Sequence, residues 1–254
     1  MKFKFSIRRE IKVMVVLIGL SILIAFSGRK NDGILCKSIV IELENVHENH
    51  FVDEDEIYRV VESGDQKLVG MRLDEIDLRE IETRVLADRQ IASAEIFTDL
   101  KGNLVVHVEL RRPIARIVLS DAPDAYIAQD GSIMPVSDKY TSRVLLLSGA
   151  WLKEIVKHDR LDETGDGEKI FEMIEFIRAN AFWRAQIAQL DFKNNGKIEI
   201  FPQVTGQRVE FGAPVDIEEK FQKLMIFYKE ILPQMGWTTY ERVNLEYEGQ
   251  IIAE

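Results

Sequence analysis

IASAEIFTDLKGNLVVHVELRRPIA, residues 91–115, is the stretch that decides how this chain folds. Leu104, Val106, Val108 and Leu110 alternate with Val105, His107, Glu109 and Arg111, the period-two signature of a half-buried strand. Ahead of it, Ala94 and Ile96 share one side of a second run over 92–99. Asp99-Leu100-Lys101-Gly102-Asn103 joins the two runs as a turn, so the pair reads as a hairpin. Pro113 has no N–H for a ladder; it ends the second strand and marks a domain boundary.

Upstream, Ile39, Ile41 and Leu43 alternate with Val40 and Glu42 and predict another strand. Asp53 followed by Glu56 is a capping-box pattern, and Ile57, Val60 and Val61 give the buried stripe of a helix ending near Gly64. Asp77 and Glu80 repeat the pattern ahead of a face made of Leu78, Ile81, Val85 and Leu86. Residues 36–112 therefore read β-α-α-β-β, a small α+β domain with helices on one face of a sheet.

Downstream, 117–119, 126–128, 133–136 and 144–147 are short strand-like runs, with a turn at Asp130-Gly131, and predict an antiparallel meander. Residues 159–167 read as a loop, and 168–180 as a helix with Ile170, Phe171, Ile174 and Ile177 inward. Three strands follow, over 187–192, 197–201 and 207–211. Asp216 is the expected cap of a second helix, with Phe221, Leu224, Met225, Tyr228, Ile231 and Leu232 inward and Pro233 and Gly236 as its stop. Alternation over 242–247 and the run 248–253 close the chain. The second domain, 113–254, is thus predicted to be mixed, antiparallel and β-rich, with two helices. The aromatic set Phe171, Phe176, Phe182 and Trp183 is expected in the core, as are Trp237 and Tyr240.

The N-terminus sets the address. Val13 to Phe26 is an uncharged run of fourteen residues; extended to 11–28 it would form a helix of about 27 Å, enough to span a bilayer. Residues 13–28 are therefore expected to be a transmembrane helix. Lys2, Lys4, Arg8, Arg9 and Lys12 against Glu10 make residues 1–12 a cytoplasmic tail, in single-pass type II orientation, with the remainder exported. A cleaved signal peptide, with Ala25-Phe26-Ser27 as its site, is the rival reading and exports the same body. Lipidation at Cys36 is disfavoured by Ile34 and Leu35 where small residues belong.

Seven of the 33 Lys+Arg and one of the 43 Asp+Glu lie in the first thirty residues, leaving the rest at −16. So acidic a body disfavours nucleic acid and anionic lipid as partners. One cysteine allows no internal disulfide, and Cys36 beside an apolar strand is expected to be a small core residue.

The order of these pieces, with FVDEDEI at 51–57, LDEIDLREIE at 73–82, the hairpin with its RRPIA exit and AYIAQDGSIMPVS at 125–137, resembles the FtsQ/DivIB family of bacterial cell-division proteins. The resemblance covers essentially the whole chain. It implies a POTRA-like first domain, a β domain after it, and an inner-membrane scaffold at the division septum, the bulk of it periplasmic. It further implies FtsB/FtsL-like bitopic partners bound through the β domain, with other divisome proteins contacted elsewhere. Relatives carry Asp-Leu-Arg-Tyr near the docking strand; here Leu245 and Tyr247 match, while Asn244 and Glu246 depart, and Glu246 reverses a charge.

Independently, a C-terminal strand tends to lie at a sheet edge, where unpaired main-chain groups invite another strand. The expected docking residues are Leu245, Tyr247, Glu248, Gly249, Gln250, Ile251 and Ile252. No cofactor, metal or catalytic residue is assigned. Asp162 to Gly167 resembles a calcium loop, but Met173 stands at position 12. His47 and His50 are too loosely arranged for a ligand pair, and no nucleophile elbow, HExxH or phosphate loop is present. A secreted hydrolase is therefore disfavoured. The alternative function is a POTRA-type envelope assembly or secretion module binding client polypeptides, though no barrel strands follow.

Overall fold

The computed structural model describes residues 14, 16–21, 33–46, 49–65 and 67–254. Residues 14 and 16–21 are helical and exposed. The tail 1–12, the rest of the expected membrane segment and His47 lie outside the described residues. No helix among the described residues is long and apolar enough to cross a membrane.

The first sheet has three strands, β1 (Ile39–Glu44), β2 (Ile91–Thr98) and β3 (Leu104–Leu110), in the order β1-β3-β2. Helices α1 (Glu54–Glu62) and α2 (Leu78–Leu86) fall between β1 and β2, giving the expected β-α-α-β-β order. Ile57 and Val61 are the buried residues of α1, and Ile81 and Val85 those of α2; Leu86, expected inward, is exposed because α2 ends there. Asp77 Oδ1 accepts from the main-chain N–H of Arg79 (3.0 Å) and Glu80 (3.1 Å), so the cap read in the sequence forms. At the hairpin, Asp99 Oδ1 accepts from the N–H of Lys101 and of Asn103, each at 2.8 Å, and Gly102 takes φ +91°. A side chain and a glycine thus close the turn together. Cys36 is buried, and burial pushes its thiol pKa up.

Among the described residues, contacts group the chain into two compact units, one within Met1–Glu42, Glu54–Val85 and Ala94–His107, the other within Leu43–Asp53, Leu86–Ser93 and Val108–Glu254. The second unit holds nine strands: β4 (Pro113–Val118), β5 (Ala125–Ala128), β6 (Ile133–Pro135), β7 (Leu145–Ser148), β8 (Ile187–Phe192), β9 (Ile198–Pro202), β10 (Arg208–Gly212), β11 (Arg242–Asn244) and β12 (Ile252–Ala253). Their order is β12-β11-β10-β9-β8-β7-β4-β5-β6. Pro113 ends nothing beyond Leu110; it is the first residue of β4, a position that needs no ladder donor.

The antiparallel expectation holds for β4-β5-β6 and for β8-β9-β10, but β4/β7, β7/β8 and β10/β11 are parallel. Parallel neighbours need long crossovers. The crossover from β7 to β8 carries α3 (Leu152–Ile155), α4 (Gly167–Ala179) and α5 (Ala181–Gln186); that from β10 to β11 carries α6 (Ile217–Ile226), a π-helical stretch (Phe227–Ile231) and α7 (Leu232–Met235). The unit therefore has two long helices and three short ones rather than two helices.

Two local expectations for the second crossover fail for identifiable reasons. Asp216 sits in the left-handed region (φ 52°) and makes no side-chain cap bond. Pro233 does not stop the helix: the π stretch just before it has left the α hydrogen-bond ladder, so a residue without N–H is accommodated, and Gly236 (φ 103°) ends the run. The same stretch shifts the helical phase, burying Phe227 and leaving Ile231 half-exposed.

The core lies between the sheet and these helices. Phe221 packs on Phe176 (4.9 Å), Trp183 (5.0 Å) and Phe211 (5.3 Å), and the expected core aromatics Phe171, Phe176, Phe182 and Trp183 all contribute. Trp237, by contrast, is 50% exposed, while Tyr240 is partly buried against the core.

Candidate partner-docking edge

The nine-stranded sheet ends at β6 on one side and β12 on the other. The β6 edge is covered by residues 159–161: Ile133 N–H donates to Asp159 O and Leu161 N–H to Gly131 O, both at 2.9 Å. No strand lies outside β12 among the described residues. Glu254 exchanges both main-chain bonds with Arg242, each at 3.0 Å, so the ladder turns the N–H and C=O of Ala253 away from β11. An edge strand with outward main-chain groups is a template for strand addition.

Side chains alternate across this edge. Val243 faces Ala253, and Ile251 and Ala253 pack against the core while remaining half-exposed. On the opposite, outer face Asn244 lies across from Ile252, and the Arg242 guanidinium bridges Glu210 (3.2 Å) and Glu254. The Glu254 carboxylate, then Glu210, push the Arg242 pKa up. Asn244 Nδ2 donates to Glu210 Oε2 at 2.6 Å, and Asn244 Oδ1 accepts from Glu246 N–H at 2.8 Å.

The expected docking residues divide on this structure. Leu245 is fully buried in the core and supports the edge from inside. Tyr247 is 55% exposed. Glu248, Gly249 and Gln250 form a turn, with Gly249 at φ 61°, instead of the expected strand; that turn sends the chain back along β11. Ile251 leads into β12, and Ile252 is the one expected docking residue within it.

Two supports were not singled out in the sequence. Lys223 Nζ donates to the main-chain oxygens of Leu245 (3.1 Å) and Tyr247 (2.8 Å), tying the entry of the turn to α6. Its spacing from inward-facing Lys220 and Leu224 was the available signal, since a lysine at the margin of a buried face has few places for its ammonium. Gly212 (φ 78°) follows a bulge in β10, and Glu246 lies over it and pairs with Lys197 at 2.6 Å. The Glu246 carboxylate pushes the Lys197 pKa up.

A cleft of about 490 Å³ opens near the start of β11, lined by Phe201, Val204, Arg208, Trp237, Tyr240 and Glu241. The remaining candidate chemistry is not assembled. Asp162 is bound by Arg160 at 3.0 Å, Met173 is buried in the core, and His50 packs edge-on against Tyr140. Among the described residues no group of three or more His, Cys, Asp or Glu could hold a metal ion.

A β-α-α-β-β module is followed by a helix-backed mixed sheet whose β12 edge carries no further strand among the described residues. Residues 34–109 match the model for a POTRA-like domain, and residues 112–254 match that for FtsQ/DivIB, C-terminal related. The latter covers more than half of the chain, which belongs to the FtsQ/DivIB family. No curated protein matches it.

Proposed function

We propose that this protein is a non-catalytic scaffold of the bacterial division machinery that captures FtsB/FtsL-like bitopic partners by adding one of their strands to β12. Residues 13–28 anchor it in the inner membrane in type II orientation, with the tail 1–12 in the cytoplasm and the bulk in the periplasm at the septum. The β domain, 113–254, binds those partners, and the POTRA-like domain, 36–112, contacts further septal proteins. The observation that carries this reading is the open β12 edge, with outward main-chain groups on Ala253, inside the region that matches the family model. Main-chain pairing gives such a site affinity, and the side chains on either face give it selectivity.

The test uses a tagged full-length chain in dividing cells. The full chain forms a midcell band and co-isolates with membrane division proteins. Ala253→Pro, which removes an outward N–H without breaking an internal ladder bond, lowers co-isolation, as does deletion of Glu248 to Glu254. A uniform envelope signal from the full chain overturns the scaffold role, and undiminished co-isolation by both variants places docking elsewhere.

A further inference from the structure

We propose that the strand docking on β12 is an alternating one, with apolar residues on the core side and Lys or Arg on the outer side. This inference rests on the docking role of β12 and names the chemistry of its occupant.

The side-chain alternation of the edge carries the apolar half. Ile251 and Ala253 face the core side yet keep half-exposed surface, which the core-facing residues of one further strand would cover. On the outer side the exposed Ile252 is followed by Glu254. Residues directly opposite on neighbouring strands have Cβ atoms roughly 5 Å apart, so each outer residue of an added strand meets either that apolar surface or that carboxylate.

The sign comes from the balance of charge. Segment 241–254 contains Glu241, Glu246, Glu248 and Glu254 against Arg242 alone. Arg242 is already shared between Glu210 and Glu254, and Glu246 is held by Lys197. Glu241 and Glu248 are exposed and have no ion pair among the described residues. A basic strand meets this excess favourably, whereas an acidic one sets like charges opposite each other, which is destabilising in a sheet.

The test measures binding of three synthetic peptides to the full chain in detergent micelles: alternating Lys and Val, alternating Glu and Val, and a Lys block followed by a Val block. The alternating Lys/Val peptide binds, and both others bind at least about tenfold more weakly. Glu248→Gln, at an exposed turn position with nothing to lose in the fold, and Glu254→Gln each weaken the Lys/Val peptide severalfold; Ala253→Pro abolishes its binding. If Ala253→Pro abolishes binding but Glu/Val binds as well as Lys/Val, the sign is wrong while the edge still docks. Equal binding of the block peptide reduces the effect to charge attraction and overturns the alternation. Unchanged binding by Ala253→Pro overturns the docking edge itself, and with it this inference.

Discussion

Lys223 Nζ lies 2.8 Å from the main-chain oxygen of Tyr247 and 3.1 Å from that of Leu245, so one ammonium on α6 fastens the chain where it leaves β11 for the turn. The Lys223 side chain is only 12% exposed; its bond to Leu245 is partly buried, and that to Tyr247 lies at the surface. Lys223→Met keeps the aliphatic stem and removes both charge-assisted bonds, for a loss of about 2 kcal/mol. Chemical denaturation gives the total. Amide exchange gives the location: faster exchange over 245–254 with β8 and β9 unchanged supports this role, and uniform exchange throughout would falsify it.

Two glycines rank in a defined order. At Gly149 (φ 121°) an added Cβ would stand 2.0 Å from the main-chain oxygen of Phe192, which cannot move without shifting β8. At Gly212 (φ 78°) it would stand 2.6 Å from Glu246 Cγ, a side chain that can swing away at the expense of its pair with Lys197. Gly212→Ala costs about 1–2 kcal/mol and Gly149→Ala more than about 3 kcal/mol. Thermal melts of the two variants check the ranking, and the reverse order would contradict it.

Phe221 is the aromatic hub between α6, α4, α5 and β10. Phe221→Ala leaves a cavity ringed by Phe176, Trp183 and Phe211 and destabilises by about 3–5 kcal/mol. Phe221→Leu recovers much of that loss, because it refills most of the volume. Urea midpoints of both variants measure the difference.

Asp130 carries a pH dependence of definite sign. Burial pushes its carboxyl up, but the Ser132 N–H (3.0 Å) and the Arg111 guanidinium (2.9 Å) outweigh burial and hold its pKa below the usual carboxylate value. The stabilisation is therefore present above the unfolded carboxylate pKa of about 3.9 and is lost as pH falls through the lower folded value. The side chain is well exposed, so the amount is under about 1 kcal/mol. Asp130→Asn is less stable than the parent at pH 7, and the gap closes in acid. A gap independent of pH would show that the charge has no part in it.

Some readings that rest on neighbouring residues are met, while others, the Asp216 cap and the Pro233 stop, are not. The alternation of 104–110, the Asp77 cap and the Asp99 turn each depend on contacts within a few positions, and each forms. Further differences arise where packing or a change of backbone phase decides. Leu245 continues the alternation of β11 and gives no local sign of how deeply the sheet and α6 bury it. Ile231 and Phe227 exchange roles because five residues wind as a π-helix, a phase change the apolar spacing does not register. A terminal edge strand was legible in the sequence, but its span was not: the left-handed Gly249 converts most of 248–252 into a turn.

The amino-acid order alone determined the succession of the main strands and longer helices and the acidic character of the body, because periodicity, turns and charge are local or additive properties. Only the tertiary structure decided that three strand pairs run parallel, that residues 159–161 cover the β6 edge while β12 stays open, and that Lys223 and Gly212 support that open edge. Those features arise from hydrogen bonds and close packing between residues far apart in the chain, and no short stretch of sequence contains both partners.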